Sequence, residues 1–552
     1  MRLSTKLALG ALVLAVLPRR RLRPAVAAAG AGGVMTLAAA DAVPPSVVPP
    51  EVPPAHDGDD HLAAPPSGLR AAVMSGLVWK ALSILVKQGS RVIVGIILAR
   101  LLTPEDYGLA ALVLVFSSLV FIFSDLSLGA ALVQRARITE KDRSTVFWVS
   151  VAVGVVCTLV GIAVAPLVAD FYREPDVEPL FMAVSLSFVI VSLGVTQEAL
   201  LTRAMDFRSL EIRQMAAALI GAVVAVVIAA QGGGAWAIIV QQVVVVAVAT
   251  VMMWLVTPWR PRFTFSKASL GDLGAFGGNV FGSRLIFYLN RNADNMLIGR
   301  FIGAPALGAY SLAYNVILLP FSQVAGPLEQ LLYPAFARMQ EDMERLRVAF
   351  LRVIRLIAAV NMPILFGLAV LADVFVPVVL GEQWEDAIPI IQILAAVGVA
   401  QSLQALNGSI LQACDRTRLL LRYSIVFTSV TVGAFAVGVP FGIVGVAAAL
   451  GIASLVLEPL YAVMTARTMG MSVWRIPRAL SGVTQATIGM LAAVLAARWG
   501  VERAGGGEAL QLLAGIAAGV VTYPPLLMWR DPETVADFRG MLARRRAREA
   551  AE

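Results

Sequence analysis

Residues 297–312 read LIGRFIGAPALGAYSL, and residues 97–112 read ILARLLTPEDYGLAAL. Set in register 200 residues apart, the two stretches align Arg300 with Arg100, Gly308 with Gly108 and Leu312 with Leu112. The register extends backwards, placing Ser283, Leu285 and Arg291 on Ser83, Leu85 and Arg91. A charged loop follows in each copy, at 134–145 and at 335–347. Each copy holds six apolar spans. An even number of spans returns the chain to the side on which it began, so the copies are parallel repeats about a pseudo-two-fold axis normal to the membrane. Such a duplication implies two lobes with a cavity between them.

The 552 residues are 59% apolar and 14% charged, with a mean hydropathy of +0.80. Ordinary soluble domains are about 45–50% apolar. Runs long enough to cross a ~30 Å hydrocarbon core lie near 73–101, 108–132, 146–169, 180–202, 212–230, 235–257, 273–301, 306–330, 348–376, 388–412, 419–438, 442–466, 476–498 and 509–529. These predict an all-α polytopic membrane protein of about 14 transmembrane helices. Its expected parts are an N-lobe over 71–265, a C-lobe over 266–470, two further helices over 471–530 and a basic tail over 531–552. Short alternating strands of a β-barrel do not fit this pattern.

The net charge of +8 is carried mostly by short loops. One alternate set of loops holds Arg135, Arg137, Lys141 and Arg143, then Arg203, Arg208 and Arg213, then Arg260, Arg262 and Lys267, and so on to Arg467, Arg475 and Arg478. The other set holds only Arg100, Arg173, Arg300, Arg498 and Arg503. The molecule thus has an Arg-rich and an Arg-poor end. The positive-inside rule assigns the Arg-rich end, and both termini with it, to the cytoplasm. The expected location is therefore a cell membrane, crossed many times, with both termini on its cytoplasmic side. Topology accounts for the basic balance without nucleic acid.

Residues 1–70 stand outside the repeating pattern. A short apolar run followed by Arg19, Arg20, Arg21 and Arg23 precedes a Pro-rich tract. Three readings stay open: a flexible Ala/Pro-rich cytoplasmic leader, a start nearer Met35 or Met74, and a signal or extra membrane segment. The two histidines, His56 and His61, both fall here. Cys157 and Cys414 lie in separate apolar spans. No cofactor or metal is therefore expected, and no histidine-dependent catalysis within the spans. The Arg-poor loops are too short for a catalytic domain, which disfavours a membrane polymerase or ligase. The phosphate-binding loop of ATP-driven pumps is absent from the sequence.

The first span carries Lys80, Lys87 and Arg91 within roughly 40° of one another at 100° per residue. The seventh repeats the arrangement with Arg284 and Arg291, bordered by Asn295. Each cation costs ~2.5–3.5 kcal/mol at mid-bilayer on the insertion scale, so the stripe is expected to face water between the lobes and to receive an anion. Snorkelling of Lys80, or pairing of Arg291 with Asp294, is the simpler alternative. The acids Asp294, Glu198 and Asp125 are candidates for coupling to H⁺ or Na⁺, with helix-to-helix hydrogen bonding as their plainer reading.

The ordered set ILARLLTPEDYGLAALV, FSDLSLGAALVQR, STVFW, NADNMLIGRFIGAPALGAYSLAYNV, YPAFARMQED and LGEQWEDAIPIIQILA resembles bacterial polysaccharide and lipopolysaccharide export flippases. The likeness is to the Wzx type, WzxC-like in sequence, of the multidrug/oligosaccharidyl-lipid/polysaccharide exporter superfamily. It implies alternating access by two six-helix lobes. It also implies an undecaprenyl-diphosphate-linked oligosaccharide as cargo, carried from the cytoplasmic to the outer leaflet for exopolysaccharide or lipopolysaccharide biosynthesis, with polymerase or assembly proteins as partners. A peptidoglycan-precursor flippase shares the diphosphate and remains an alternative. A drug exporter for cations is expected to have an acidic cavity, which the Arg-rich stripe disfavours.

Overall fold

Helices satisfy their own backbone polar groups, and in hydrocarbon this makes them the default solution for so apolar a chain. A computed structural model describes residues 69–124, 128–135, 138–266, Tyr288 and 292–549, and every described span is helical. The leader to residue 68, Asp125, Arg284 and Arg291 lie outside the described residues.

The first half runs through α1 (Leu69–Leu101), α2 (Pro104–Ser124), the short α3 (Leu128–Gln134), α4 (Glu140–Tyr172), α5 (Val177–Ser192), α6 (Val195–Arg203), α7 (Phe207–Ala230) and α8 (Trp236–Val256). The second half comprises α9 (292–301), α10 (Ala304–Ala337), α11 (Met343–Phe375), α12 (Ala387–Gln404), α13 (Asn407–Ala413), α14 (Thr417–Gly438) and α15 (Gly442–Thr468). Two more long helices follow, α16 (Arg475–Arg503) and α17 (Glu508–Arg530), and then α18 (Pro532–Glu549). Helices stand at all the expected spans, the seventh being described as a helix from residue 292 onwards. Among the described residues, eight helices are long and apolar enough to cross a bilayer, or nine if α5 and α6 form one bent span.

Local signals set the helix ends. Thr139 and Asp142 form a capping box at the start of α4, with the Asp142 backbone N–H donating to Thr139 Oγ1 at 3.2 Å and the Thr139 backbone N–H donating to Asp142 Oδ2 at 2.9 Å. The helix stops at Arg173, which adopts the left-handed conformation. The duplication is visible in the same feature. Left-handed residues punctuate both halves at matching places: Arg173 and Gly381, Met205 and Asp415, Gly234 and Gly442. The fourth span of each half is also interrupted, between α5 and α6 by a 43° bend and between α12 and α13 at residues 405–406.

The halves meet along α2 and α10, which cross at Gly108 and Gly308. A Cβ on Gly108 would lie 1.8 Å from the Ala304 carbonyl oxygen, and one on Gly308 would lie 1.8 Å from that of Pro104. Only glycine permits this approach, the small-residue packing common in membrane helices. Leu109, Leu112 and Val113 from one half and Leu307, Tyr310 and Ala313 from the other join a single buried core there. Trp384, fully buried in the second half, donates its indole N–H to the Ala99 carbonyl at 2.7 Å and meets the Tyr107 ring edge-on at 5.0 Å. Both crossing points lie at the Arg-poor end.

The added helices α16 and α17 pack on each other and on α11, where Arg498 binds both carboxylate oxygens of Asp373. On the Arg-rich side, α18 is tied to α11 by Arg352–Asp537 and Arg355–Glu533 ion pairs.

Gly108→Leu is expected to destabilise the fold by about 1–3 kcal/mol, the usual range for overpacking. Thermal unfolding in detergent checks this. Gly89→Ala, whose added methyl meets nothing within 4 Å, is expected to leave the transition unchanged or raise it slightly.

Candidate substrate site and family

The seam between α1 and α7 collects the polar side chains of the first half. Asp206 opens α7 by accepting the Ser209 backbone N–H at 3.1 Å, just after left-handed Met205. One turn on, Glu211 and Gln214 share a helix face three residues apart. Lys87 of α1 reaches both, at 3.3 Å from Glu211 Oε2 and 2.5 Å from Gln214 Oε1. Near the start of the same seam, the Arg208 guanidinium stands 5.1 Å over the Trp79 ring. Arg213 is buried and bonds the half-exposed Glu198 of α6 at 3.4 Å. Two cations and two carboxylates thus balance one another across α1, α6 and α7.

Arg91 lies one turn beyond Lys87. It is exposed, and among the described residues nothing is recorded as its ion-pair or hydrogen-bond partner. Val92 and Ile93, which follow it, are exposed as well. Lys80 lies on the same helix, two turns before Lys87.

In the second half, Asp294 of α9 is buried. It accepts the hydroxyl of fully buried Tyr310 at 3.0 Å and the backbone N–H of Asn295 at 2.8 Å. Asn295 itself is partly buried. Tyr288 donates its hydroxyl to the Val115 carbonyl, which ties the seventh span to α2 of the other half. Glu458 of α15 is buried near the stacked rings of Tyr423 and Tyr461, whose centroids are 4.0 Å apart.

The structure thus brings Lys87 together with Glu211 and Gln214, and Glu198 together with Arg213. Asp294 is separate from these, at the α9–α10 contact. Sequence reading counted Arg213 among the loop residues and passed over Glu211 and Gln214. The signal was present in Glu211, Arg213 and Gln214, three polar residues in the opening turns of an apolar helix. At the Arg-poor end, outside the spans, Glu174 accepts the Ala304 backbone N–H, while desolvation first and Glu105 second push its carboxyl above the usual range.

Glu211→Ala leaves Lys87 facing Gln214 alone in a mostly buried seam. The expected loss is roughly 3 kcal/mol, the low end for breaking a buried pair, because Lys87 keeps 27% of its side chain exposed. A double-mutant cycle with Lys87→Met, followed by thermal unfolding, is expected to recover most of that loss.

Residues 97–389, more than half the chain, match the family of polysaccharide biosynthesis proteins. The lipopolysaccharide biosynthesis protein WzxC of Escherichia coli (strain K12) is 30% identical over 67% of this chain and 76% of its own. The succinoglycan biosynthesis transport protein ExoT of Rhizobium meliloti (strain 1021) is 27% identical over 86% of this chain and 96% of its own. The structure superposes on the lipid II flippase MurJ in an inward closed conformation with a TM-score of 0.66 at 12% identity, covering 84% of this chain and 100% of that one, a likeness of fold. The matched stretch begins just before the Arg100–Gly108 motif and ends beyond Trp384, so it contains the crossing of the two halves, and the chain belongs to the polysaccharide biosynthesis protein family of multi-pass membrane proteins.

Proposed function

We propose that this protein is a flippase for a polyprenyl-diphosphate-linked oligosaccharide, moved between leaflets by alternating access and destined for an exported polysaccharide. Family membership carries the reading, since relatives named for polysaccharide biosynthesis and transport match most of the chain. The fold likeness supplies the architecture that such movement needs. The exposed Arg91 supplies a cation where an amphiphilic anion would enter. At an effective dielectric near 20, a contact ion pair at 4 Å is worth ~4 kcal/mol before desolvation. A diphosphate engages several such cations at once, with Lys80, Arg284 and Arg291 as the remaining candidates in the stripe. Lys87 contributes through its Glu211 pair, which a phosphate oxygen can exchange with.

In this reading the Arg-rich end faces the cytoplasm together with both chain termini. The halves held together at Gly108 and Gly308 then describe the state closed to the outside. Energy comes from an ion gradient or the membrane potential, and Asp294, Glu198 and Asp125 are the candidate carriers of H⁺ or Na⁺. The protein performs no bond chemistry, and the assembled sugar passes to a polymerase on the far side.

Deleting the gene and probing spheroplasts with a membrane-impermeant reagent tests this. The lipid-linked oligosaccharide is expected to accumulate on the cytoplasmic side and to be released by the intact gene. Arg91→Ala is expected to slow the release about tenfold, equivalent to 1.4 kcal/mol, and Arg91→Ala/Arg291→Ala to slow it further. Arg262→Ala in an Arg-rich loop is expected to have little effect. Normal transport by the double variant would remove the cationic stripe from the account. Accumulation on the outer side would contradict the flippase reading.

A further inference from the structure

The aligned pair Arg100 and Arg300 closes the first helix of each half at the Arg-poor end. Neither belongs to the polar stripe, and among the described residues neither has an acidic partner in its own half. Their surroundings are related by the duplication. Arg100 reaches out of its own half to α11, the third long helix of the other. There Val376–Leu380 continues α11 as one π turn containing Pro377, and the turn ends at left-handed Gly381. Helix ends leave their last carbonyls without intrahelical donors, and these carry the negative pole of the helix. The Arg100 Nε donates to the Val379 carbonyl at 3.0 Å, and one of its terminal nitrogens donates to that of Val378. Gln383 returns the contact by donating to the Ala99 carbonyl at 2.8 Å.

Arg300 makes the reciprocal approach. It lies over Phe171, in the last turn of α4, the third long helix of the first half, with its guanidinium carbon 5.5 Å from the ring centroid. Its Nη1 is buried and has no hydrogen-bond partner among the described residues. Beside it the loop after α4 holds the start of α10, where Glu174 accepts the Ala304 backbone N–H. The two contacts share a plan and differ in strength: Arg100 is hydrogen-bonded to a helix end, while Arg300 is stacked and incompletely bonded.

We propose that Arg100 and Arg300 form a reciprocal latch that holds the Arg-poor end shut, each docking on the C-terminal end of the third long helix of the opposite half, with Arg100 the stronger arm. The latch sits above the Gly108–Gly308 crossing. It must break whenever the halves part at this end, and its carbonyl acceptors then turn to water, which keeps the open state accessible. The proposal rests on the alternating-access reading and assigns the residues that set its balance.

Distances between spin labels on the purified full-length protein in nanodiscs test the latch without any cargo. Asp176 and Glu385 are exposed at the Arg-poor end of the first and second halves, and cysteines there carry the labels. In Arg100→Ala the ratio of closed to open populations is expected to fall about tenfold, the scale of a lost hydrogen bond from a charged donor, and in Arg300→Ala by less. Arg100→Lys is expected to recover part of the closed population, since it keeps the cation at the helix end. Arg503→Ala, which removes a guanidinium stacked on Trp499 at the same end, is expected to change nothing. Thermal unfolding confirms that each variant remains folded. Unchanged distances in folded Arg100→Ala would overturn the latch, as would an equal shift in Arg503→Ala. The flippase reading is judged separately: loss of the leaflet phenotype with intact latch distances contradicts the cargo, and the reverse contradicts the latch.

Discussion

Two helix backbones can touch only where neither carries a Cβ at the point of contact. The crossing of α2 and α10 at Gly108 and Gly308 is such a point, and much else in the structure is placed by it. Because the backbones touch, the apolar residues around them merge into a core that belongs to both halves. Trp384 comes within hydrogen-bond reach of Ala99, and Tyr288 within reach of Val115. The first helix of each half is thereby laid against the other half at one end. The halves are thus joined at the Arg-poor end, and the proposed alternating access requires this contact to be released in turn.

The second constraint is electrostatic. A cation in hydrocarbon is expensive, and most of the charges described inside the spans answer one another. Lys87 meets Glu211, Arg213 meets Glu198, and Arg498 meets Asp373. Asp294 is held by a tyrosine hydroxyl and a backbone N–H. Against this background of balanced charge, an exposed Arg91 is distinctive. Neutralised pairs position helices, whereas in the proposed function an exposed guanidinium offers its donors to the cargo. The division of labour fits a protein that must be stable in lipid and yet attract a strongly anionic headgroup.

The helices and their duplication were legible because apolar length and a 200-residue register are properties of the chain itself. Gly108 and Gly308 fell on each other in that register, as did Arg100 and Arg300. Their contacts were not legible, because what a residue touches across the molecule depends on packing that no local spacing encodes. Lys87 illustrates the limit. Helical phase aligns it with Lys80 and Arg91, but its partner lies 124 residues away on α7. Arg213 illustrates another: counted by position it reads as a loop cation, while α7 begins six residues earlier and buries it. The π turn after α11 is a third case. Pro377 and Gly381 mark an ending, but only the folded chain reveals which carbonyls that ending leaves for Arg100.

The most direct measurement is leaflet exchange of a synthetic polyprenyl-diphosphate oligosaccharide in proteoliposomes containing only this protein. Exchange well above protein-free vesicles is expected, strongly reduced when the diphosphate is replaced by a neutral linker and when Arg91 is replaced by alanine. Exchange that ignores the diphosphate, or none with a folded protein and an imposed ion gradient, would contradict the flippase reading.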